Sequence, residues 1–242
     1  MRILVISHWF PPDPQVGALR VGKFAHYLHG RGHELRVLAG PGEAAAPAGP
    51  AIPVWRTPPA PSPSGAGGHA AAPPSPASAL SSAVRRWLAW HYRALAQIPD
   101  SLTGWRPPAL AVAQELLRGW TPDLILASAP PRTGILVARD LGRSLGVPFV
   151  VDLRDPWAAD PYEDRPLWRL GLNTVHERLV LRHAAGIAAA SPVVAARLAR
   201  LYACPVTTIL NGYSPEDTPP PAPRAGGERL RIVYAGSLYD GR

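Results

Sequence analysis

Short apolar runs recur along the chain, separated by longer stretches in which apolar residues repeat at helical spacing. The runs predict strands over Ile3–Ser7, Glu34–Leu38, Leu124–Ala127, Phe149–Asp152, Gly186–Ala189, Val206–Ile209 and Leu230–Tyr234, with a short strand at Ile52–Arg56. Several runs are apolar throughout, as parallel strands covered on both faces are.

Between these strands, apolar stripes predict helices that pack on the sheet. One stripe runs from Val21 to Leu28 and ends at Gly30 and Gly32, and another runs from Ile135 to Leu145 before Gly146 and Pro148. A third consists of Trp168, Leu172, Val175 and Leu179. Strands and helices that alternate in this way predict an α/β fold with a doubly wound, parallel, Rossmann-like sheet.

Composition narrows the class of protein. The 242 residues are 47% hydrophobic and contain one cysteine, so a sizeable core is expected, whereas an intrachain disulfide and a cysteine-based metal site are excluded. The apolar run Ile3–Ile6 is too short for a signal sequence, and no apolar stretch approaches the ~20 residues of a spanning helix. These features predict a soluble, cytoplasmic protein.

The net charge of +8 favours an anionic partner, such as a nucleotide phosphate, an acidic lipid or nucleic acid. A nucleic-acid module is the least favoured, because the arginines are scattered and no recognised motif is present. Residues 41–78 are rich in Pro, Ala and Gly and predict a flexible surface insertion.

Ligands of doubly wound sheets bind beyond the carboxyl ends of the strands, so the residues that follow each strand carry the candidate chemistry. The first strand is followed by HWFPPDPQVGALR, in which Gly17 opens a helix whose free N–H groups can receive an anion. The segment SAPPRT after the fourth run likewise opens a helix. His8 either faces a cleft or is a structural residue, and Glu177 is expected on a solvated helix face.

The segment DLRDPW joins an apolar strand to three charges, a proline and a tryptophan. One interpretation is an ion pair between Arg154 and a carboxylate that ties the loop down. The other is a polyol or phosphate site, because Asp accepts hydrogen bonds from sugar hydroxyls, Arg binds phosphate, and Trp stacks on a sugar ring or an aliphatic chain.

Four segments in order, ILVISHWFPPDPQVGALR, SAPPRTGILVARDLGRSLGVPFVVDLRDPW, SPVVAARLARLYACPVTTILNGYSPED and IVYAGSLYDGR, resemble bacterial glycosyltransferases of family 4. The resemblance covers the chain except about residues 41–98. It implies the GT-B architecture, in which the first of two Rossmann-like domains binds acceptor and the second binds a nucleotide-sugar. It also implies transfer with retention, with a nucleotide-sugar as co-substrate and with no metal required for the chemistry.

By the same resemblance, Asp155 holds the acceptor hydroxyl, and Arg154 orients that hydroxyl or the diphosphate. Some family members have a histidine in this loop, where this sequence has Arg154-Asp155. The remaining residues are assigned to the donor phosphate, Gly17 and Arg242, and to the acceptor, Asp152, Trp157 and Arg20.

The resemblance divides the chain into an N-terminal domain over 1–212, a linker over 213–228 and the first strand of a donor domain over 229–242. The chain is therefore expected to be a fragment or a truncated protein that is inactive alone. Its full-length form is expected to act on a glycan or lipid-linked acceptor in bacterial cell-surface polysaccharide or glycoconjugate synthesis. A non-catalytic sugar-nucleotide or anion-binding half-domain and a GT-B nucleotide-sugar epimerase are the alternatives.

Ser81–Leu95 has two alternative interpretations. It is either a helix packed on the sheet or an interfacial helix, because its two tryptophans and a tyrosine lie beside Arg85, Arg86 and Arg93. The second interpretation places the protein peripherally on the inner face of the plasma membrane, against anionic lipid.

Overall fold

A sheet of seven parallel strands lies at the centre of the computed structural model, which describes residues 1–42, 52–59, 84–85, 95, 97–158, 167–213 and 232–233. The strands of these described residues are β1 (Arg2–Ser7), β2 (Glu34–Ala39), β3 (Val54–Arg56), β4 (Leu124–Ala129), β5 (Phe149–Leu153), β6 (Gly186–Ala189) and β7 (Val206–Thr208). Their order is β3-β2-β1-β4-β5-β6-β7. The predicted doubly wound parallel sheet is therefore confirmed.

Helices connect the strands, and those at Val16–Gly30, Thr133–Leu145 and Leu167–Leu181 lie where apolar stripes predict them. The helices are α1 (Val16–Gly30), α2 (Arg106–Leu116), α3 (Thr133–Leu145), α4 (Leu167–Leu181) and α5 (Pro192–Leu201), and a 3-10 turn at Thr103–Trp105 precedes α2. At the end of α3, Gly146 adopts the left-handed conformation with φ 68°, which glycine tolerates without a steric cost. Pro148 then prevents continuation of the helix.

Both faces of the sheet are covered, because alternate residues of β1 enter two different apolar clusters. Leu4 and Ile6 join a large cluster that includes Trp105 and residues of α2 and α3. Ile3 and Val5 join a smaller cluster with Val21 and Ala25 of α1. The strand order reverses direction between β1 and β4, where loops from opposite halves of the sheet separate and leave room for a ligand.

The chain divides into two units, Met1–Asn211 and Gly212–Arg242. The first unit contains the whole sheet. In the second unit, Gly212, Tyr213, Ile232 and Val233 are described, and Ile232 and Val233 are largely exposed. The strand predicted over Leu230–Tyr234 otherwise falls outside the described residues and stays a prediction.

Helix α4 corrects one prediction, because its apolar stripe does not face the sheet. Leu172, Val175 and Leu179 are 44%, 55% and 47% exposed, whereas Asn173 and Glu177 are buried. The buried Glu177 accepts hydrogen bonds from two groups of the core, and these bonds fix the rotation of the helix. Glu177 was expected on a solvated face, and that expectation was wrong.

Candidate active site at the carboxyl edge of the sheet

The carboxyl ends of β4 and β5 meet in register, and this brings Ser128 beside Asp152. Ser128 Oγ donates to Asp152 Oδ2 at 2.9 Å. Arg20 of α1 completes the contact, with Nη2 2.8 Å from Oδ1 and Nε 3.1 Å from Oδ2 of the same carboxylate. Their side chains are 6% and 0% exposed, so the ion pair is buried and its carboxylate oxygens are engaged.

The same arginine holds the chain that leaves β7. Arg20 Nη2 donates to the Ile209 carbonyl at 2.7 Å, and Nη1 donates to Asn211 Oδ1 at 3.0 Å. The Arg20 guanidinium also lies 4.7 Å from the centroid of the Phe24 ring. Helix α1, the centre of the sheet and the end of the first unit are thereby linked through one side chain.

Asp152, Arg20 and Trp157, for which an acceptor-binding role stays a prediction, are all buried. Asp152 and Arg20 satisfy one another inside the protein, and Trp157 is 1% exposed with its ring packed edge-on to His176 at 5.6 Å. The buried ion pair joins Arg20 to Asp152, whereas the sequence interpretation had Arg154 as the cation.

The segment after β5 is fixed at three points. The Arg154 amide donates to the Ala129 carbonyl at 3.0 Å, and Arg132 Nη2 donates to the Pro156 carbonyl at 3.1 Å. The Ala158 amide donates to Glu177 Oε2 at 2.7 Å. Asp155 lies between the first two fixed points and is exposed. A loop held in this way presents its carboxylate without further ordering, which is what a binding or catalytic group requires.

Arg154 and Gly17, two of the residues assigned to the reaction, lie against each other. Nε and Nη2 of Arg154 donate to the carbonyls of Ala129 and Pro130. Its remaining nitrogen, Nη1, occupies the space beside Gly17, where a Cβ would lie 1.7 Å from it. The guanidinium thus fills the space that a side chain at position 17 would need, and a larger residue there would displace it.

The charges at this contact have the same sign, which makes the place attractive to an anion. The amino end of a helix carries a partial positive charge, and a cation there is unfavourable unless an anion joins it. Burial lowers the pKa of Arg154, whereas the nearby carboxylates of Asp152 and Asp155 raise it. A diphosphate would satisfy both the guanidinium and the helix.

The other helix that follows SAPPRT is closed to such an anion. Asp100 accepts hydrogen bonds from the Thr133 amide at 2.9 Å and from the Thr133 hydroxyl at 2.8 Å, which caps the amino end of α3 with the protein's own carboxylate. Sequence analysis did not identify Asp100, which lies just beyond the poorly matching segment 41–98 and far from Thr133 along the chain.

His8 has a structural setting. Its ring is buried, packs edge-on to Trp9 and Trp105 at 4.4 and 4.9 Å, and leaves no space for a side chain at Gly40. Burial lowers the pKa of His8, and Asp100 and Asp13 act in the opposite direction. Within the described ranges, Nδ1 of this ring has no hydrogen-bond partner.

Arg242, assigned to the donor phosphate, lies outside the described residues. In the described part of the chain, His, Cys, Asp and Glu side chains form no group of three that could hold a metal ion. None of the described helices is long and apolar enough to cross a membrane.

Solved structures share this fold at low sequence identity. Sucrose-phosphate synthase from Thermosynechococcus elongatus matches with a TM-score of 0.57 and 14% identity, over 88% of this chain and 48% of that protein. UGT89C1 from Arabidopsis thaliana matches with a TM-score of 0.50 and 16% identity, over 90% of this chain and 52% of that protein.

The glycosyltransferase SsfS6 from Streptomyces sp. SF2575 matches with a TM-score of 0.45 and 19% identity, over 79% of this chain and 51% of that protein. The chain thus spans about half the length of these structures. The α/β, Rossmann-like sheet is thus shared with GT-B glycosyltransferases, as predicted.

Sequence comparison identifies the family. No curated protein matches the chain at a significant level. The family model described as "Glycosyl transferase 4-like domain" matches residues 17–212, from the glycine at the start of α1 to the residue after Asn211. That match covers most of the chain, and the chain belongs to the family of glycosyltransferase 4-like domains.

Proposed function

We propose that the chain forms the acceptor-side half of a retaining glycosyltransferase. The enzyme would transfer a sugar from a nucleotide-sugar to a glycan or lipid-linked acceptor in bacterial cell-surface polysaccharide or glycoconjugate synthesis. Family membership supports glycosyl transfer, and the observation that carries the proposal is the contact of Arg154 with Gly17 at the carboxyl edge of the sheet.

The donor diphosphate would lie at this contact. Arg154 supplies a fixed positive charge, because two of its nitrogens are held by the carbonyls of Ala129 and Pro130. The first turn of α1 supplies N–H groups at a helix terminus. The rest of the donor would be held by a second domain, to which Arg242 would contribute, and the chemistry would proceed without a metal.

The proposed reaction takes place on one face of the sugar. The acceptor hydroxyl oxygen forms a bond to the anomeric carbon while the bond from that carbon to the diphosphate oxygen breaks. The hydroxyl proton passes to the departing phosphate, and a nucleoside diphosphate is released. Asp155, exposed between fixed points of its loop, accepts a hydrogen bond from the acceptor hydroxyl and orients it, while Arg154 stabilises the charge that develops on the diphosphate.

A lipid-linked acceptor would be reached at the inner face of the plasma membrane. The predicted interfacial helix over 81–95 falls outside the described residues except for Val84, Arg85 and Leu95, all of which are exposed. Replacement of Arg85, Arg86 and Arg93 by Gln is expected to weaken salt-sensitive binding to anionic vesicles. Unchanged binding by this variant would contradict the contribution of that segment.

The test of the proposed function is transfer from a panel of nucleotide-sugars by the full-length gene product, with glycan and lipid-linked acceptors. We expect one donor class to be used and the product to keep the anomeric configuration of the donor, as read by NMR. Residues 1–242 alone are expected to show no transfer, because positioning of both reactants supplies most of the rate. Inversion of the product, or sugar-nucleotide epimerisation without transfer, would contradict the proposal.

A further inference from the structure

A groove between α4 and α5 combines positive charge with aliphatic surface, away from the contact of Arg154 with Gly17. The groove has a volume of about 520 Å³ and is lined from α4 by Thr174, Glu177 and Arg178. Helix α5 contributes arginines and aliphatic side chains to the opposite wall. This volume falls in the range of pockets that bind small ligands.

The arginines of the groove are available to an anion. Arg178, Arg197 and Arg200 line it, and among the described residues none of their guanidinium groups makes a hydrogen bond or an ion pair. Glu177 is the one acidic group of the lining, and both of its oxygens are engaged, by the Ala158 amide and by the Tyr202 hydroxyl at 3.0 Å. The groove therefore carries an excess of positive charge.

The sequence around the groove has the same imbalance. Residues 167–213 contain five arginines and one acidic residue, the buried Glu177. An excess of positive charge on a surface that contacts only water costs electrostatic free energy, because like charges repel. An anionic partner removes that cost.

Aliphatic side chains also line the groove. Val193, Ala196 and Leu201 belong to α5, and Val193 is 79% exposed. Val193 lies in the first turn of the helix, and Arg197 and Arg200 lie in its second half, so the exposed valine is followed by two arginines along the groove. A ligand that matches this order has a charged head and an apolar body.

Beside the groove, the outward stripe of α4 adds more exposed aliphatic surface. Leu172, Val175 and Leu179 are each close to half exposed, whereas Asn173 and Glu177 of the same helix are buried. Single exposed apolar residues are ordinary, but several on one helix beside a basic groove indicate an interaction surface. A lipid bilayer offers anionic phosphates beside apolar chains, which matches both parts of this surface.

We propose that the groove between α4 and α5 binds an anionic phospholipid. The lipid phosphate would lie among Arg178, Arg197 and Arg200, and its apolar portion would lie along Val193 and Ala196. Leu172, Val175 and Leu179 would enter the interface of the bilayer beside it. This proposal rests on residues other than those of the segment 81–95, and it does not depend on any transfer activity.

The experiment measures binding of the chain to vesicles of phosphatidylcholine with and without phosphatidylglycerol, by co-sedimentation. We expect binding only to the anionic vesicles and a loss of about fivefold for each of Arg178→Gln, Arg197→Gln and Arg200→Gln. The triple variant should lose about a hundredfold. Arg118→Gln, an exposed arginine beyond α2, is the matched control and should leave binding unchanged.

A second variant tests the groove rather than total charge. Val193→Glu places a carboxylate at the aliphatic end of a largely exposed position, so it should abolish binding while circular dichroism shows a retained fold. Binding lost only in the variant at Arg85, Arg86 and Arg93 would overturn the proposal. So would equal binding to neutral vesicles, or complete release by inorganic phosphate at constant ionic strength, since the latter would identify a free-anion site.

Discussion

Asp152 and Arg154 are two residues apart at the end of β5, yet the molecule places them in opposite situations. Asp152 is fully buried and its carboxylate is shared by Arg20 and Ser128. Arg154 is half-buried, and one of its nitrogens is directed to Gly17 at the first turn of α1. The Asp152 carboxylate pairs with Arg20 and so links the sheet to α1. The Arg154 guanidinium is directed toward the edge of the sheet where a ligand would bind.

The comparison teaches that charge at a strand end is ambiguous until its partners are known. A buried carboxylate with all its partners inside the protein cannot be removed without leaving a buried cation uncompensated. A guanidinium that donates to backbone carbonyls has its orientation set by neutral groups, with the carboxylates of Asp152 and Asp155 nearby. The two classes of residue should therefore respond differently to substitution.

The largest expected effect is on stability. Asp152→Ala leaves Arg20 buried without its carboxylate, so it should lower the free energy of unfolding by about 3–5 kcal/mol. Urea denaturation followed by circular dichroism measures this change. The double variant Arg20→Met, Asp152→Leu should be less destabilised than Asp152→Ala. A double variant that is worse than the single would show that the pair is not the source of the loss.

Arg154→Ala should instead affect the chemistry of the full-length enzyme. We expect kcat/KM to fall by about a hundredfold, about 2.7 kcal/mol in the barrier, because a fixed charge at the leaving group is lost. The free energy of unfolding should change by about 1 kcal/mol or less, the contribution of ordinary hydrogen bonds. Arg154→Lys keeps the charge and should recover part of the activity. If Arg154→Ala is unfolded at room temperature, Arg154 has a structural role like that of Asp152, and the prediction is wrong.

Gly17→Ala should change the position of the Arg154 guanidinium without removing its charge. A Cβ at residue 17 overlaps Nη1 of Arg154, so the end of the arginine side chain must move. We expect a fall of about tenfold in kcat/KM with little change in stability, because the guanidinium is displaced and not removed. Gly30→Ala, at the other end of α1 where a Cβ meets no atom, is the control. Equal activity of the two variants would contradict the role of the contact.

The smallest expected effect is on the pH dependence of stability, and it comes from the buried residue His8. Burial lowers the pKa of His8 from 6.5, so protons bind the unfolded chain more readily than the folded chain. The stabilisation is complete above about pH 6.5 and is lost as the pH falls below it. When the pH is lowered from about 7.5 to about 5.5, the free energy of unfolding should fall in the natural chain because of His8. In His8→Phe this fall should be smaller, by up to about 1 kcal/mol. Identical losses in urea titrations would show that His8 is accessible to protons in the folded state.

The sheet could be predicted from the sequence because a buried parallel strand is a local pattern. Phe149–Asp152 and Gly186–Ala189 are apolar runs that are complete in themselves, and the strands appear there. The rotation of α4 could not be predicted in this way. Periodicity marks a helix, but the inward face was decided by Glu177 and its partner Tyr202, which lies on the far side of α5 along the chain.

The distinction between Asp152 and Arg154 could not be predicted either, for a related reason. Arg20 is 132 residues from Asp152 along the chain, and no local sequence pattern around either residue indicates the ion pair. The resemblance located the loop and assigned Gly17 to the donor phosphate and Arg154 to the acceptor hydroxyl or the diphosphate, and the structure brings these two residues together. It also grouped Arg20 and Asp152 with the acceptor, where burial argues for a structural role instead.

The hydrogen bond from Arg20 to Asn211 has a mechanical consequence. The last residue of the first unit is bonded to a side chain whose other end is anchored at the middle of the sheet by Asp152. A pull on the chain beyond Asn211 is therefore transmitted through Arg20 to the central strands instead of peeling off β7, which is short and lies at the edge.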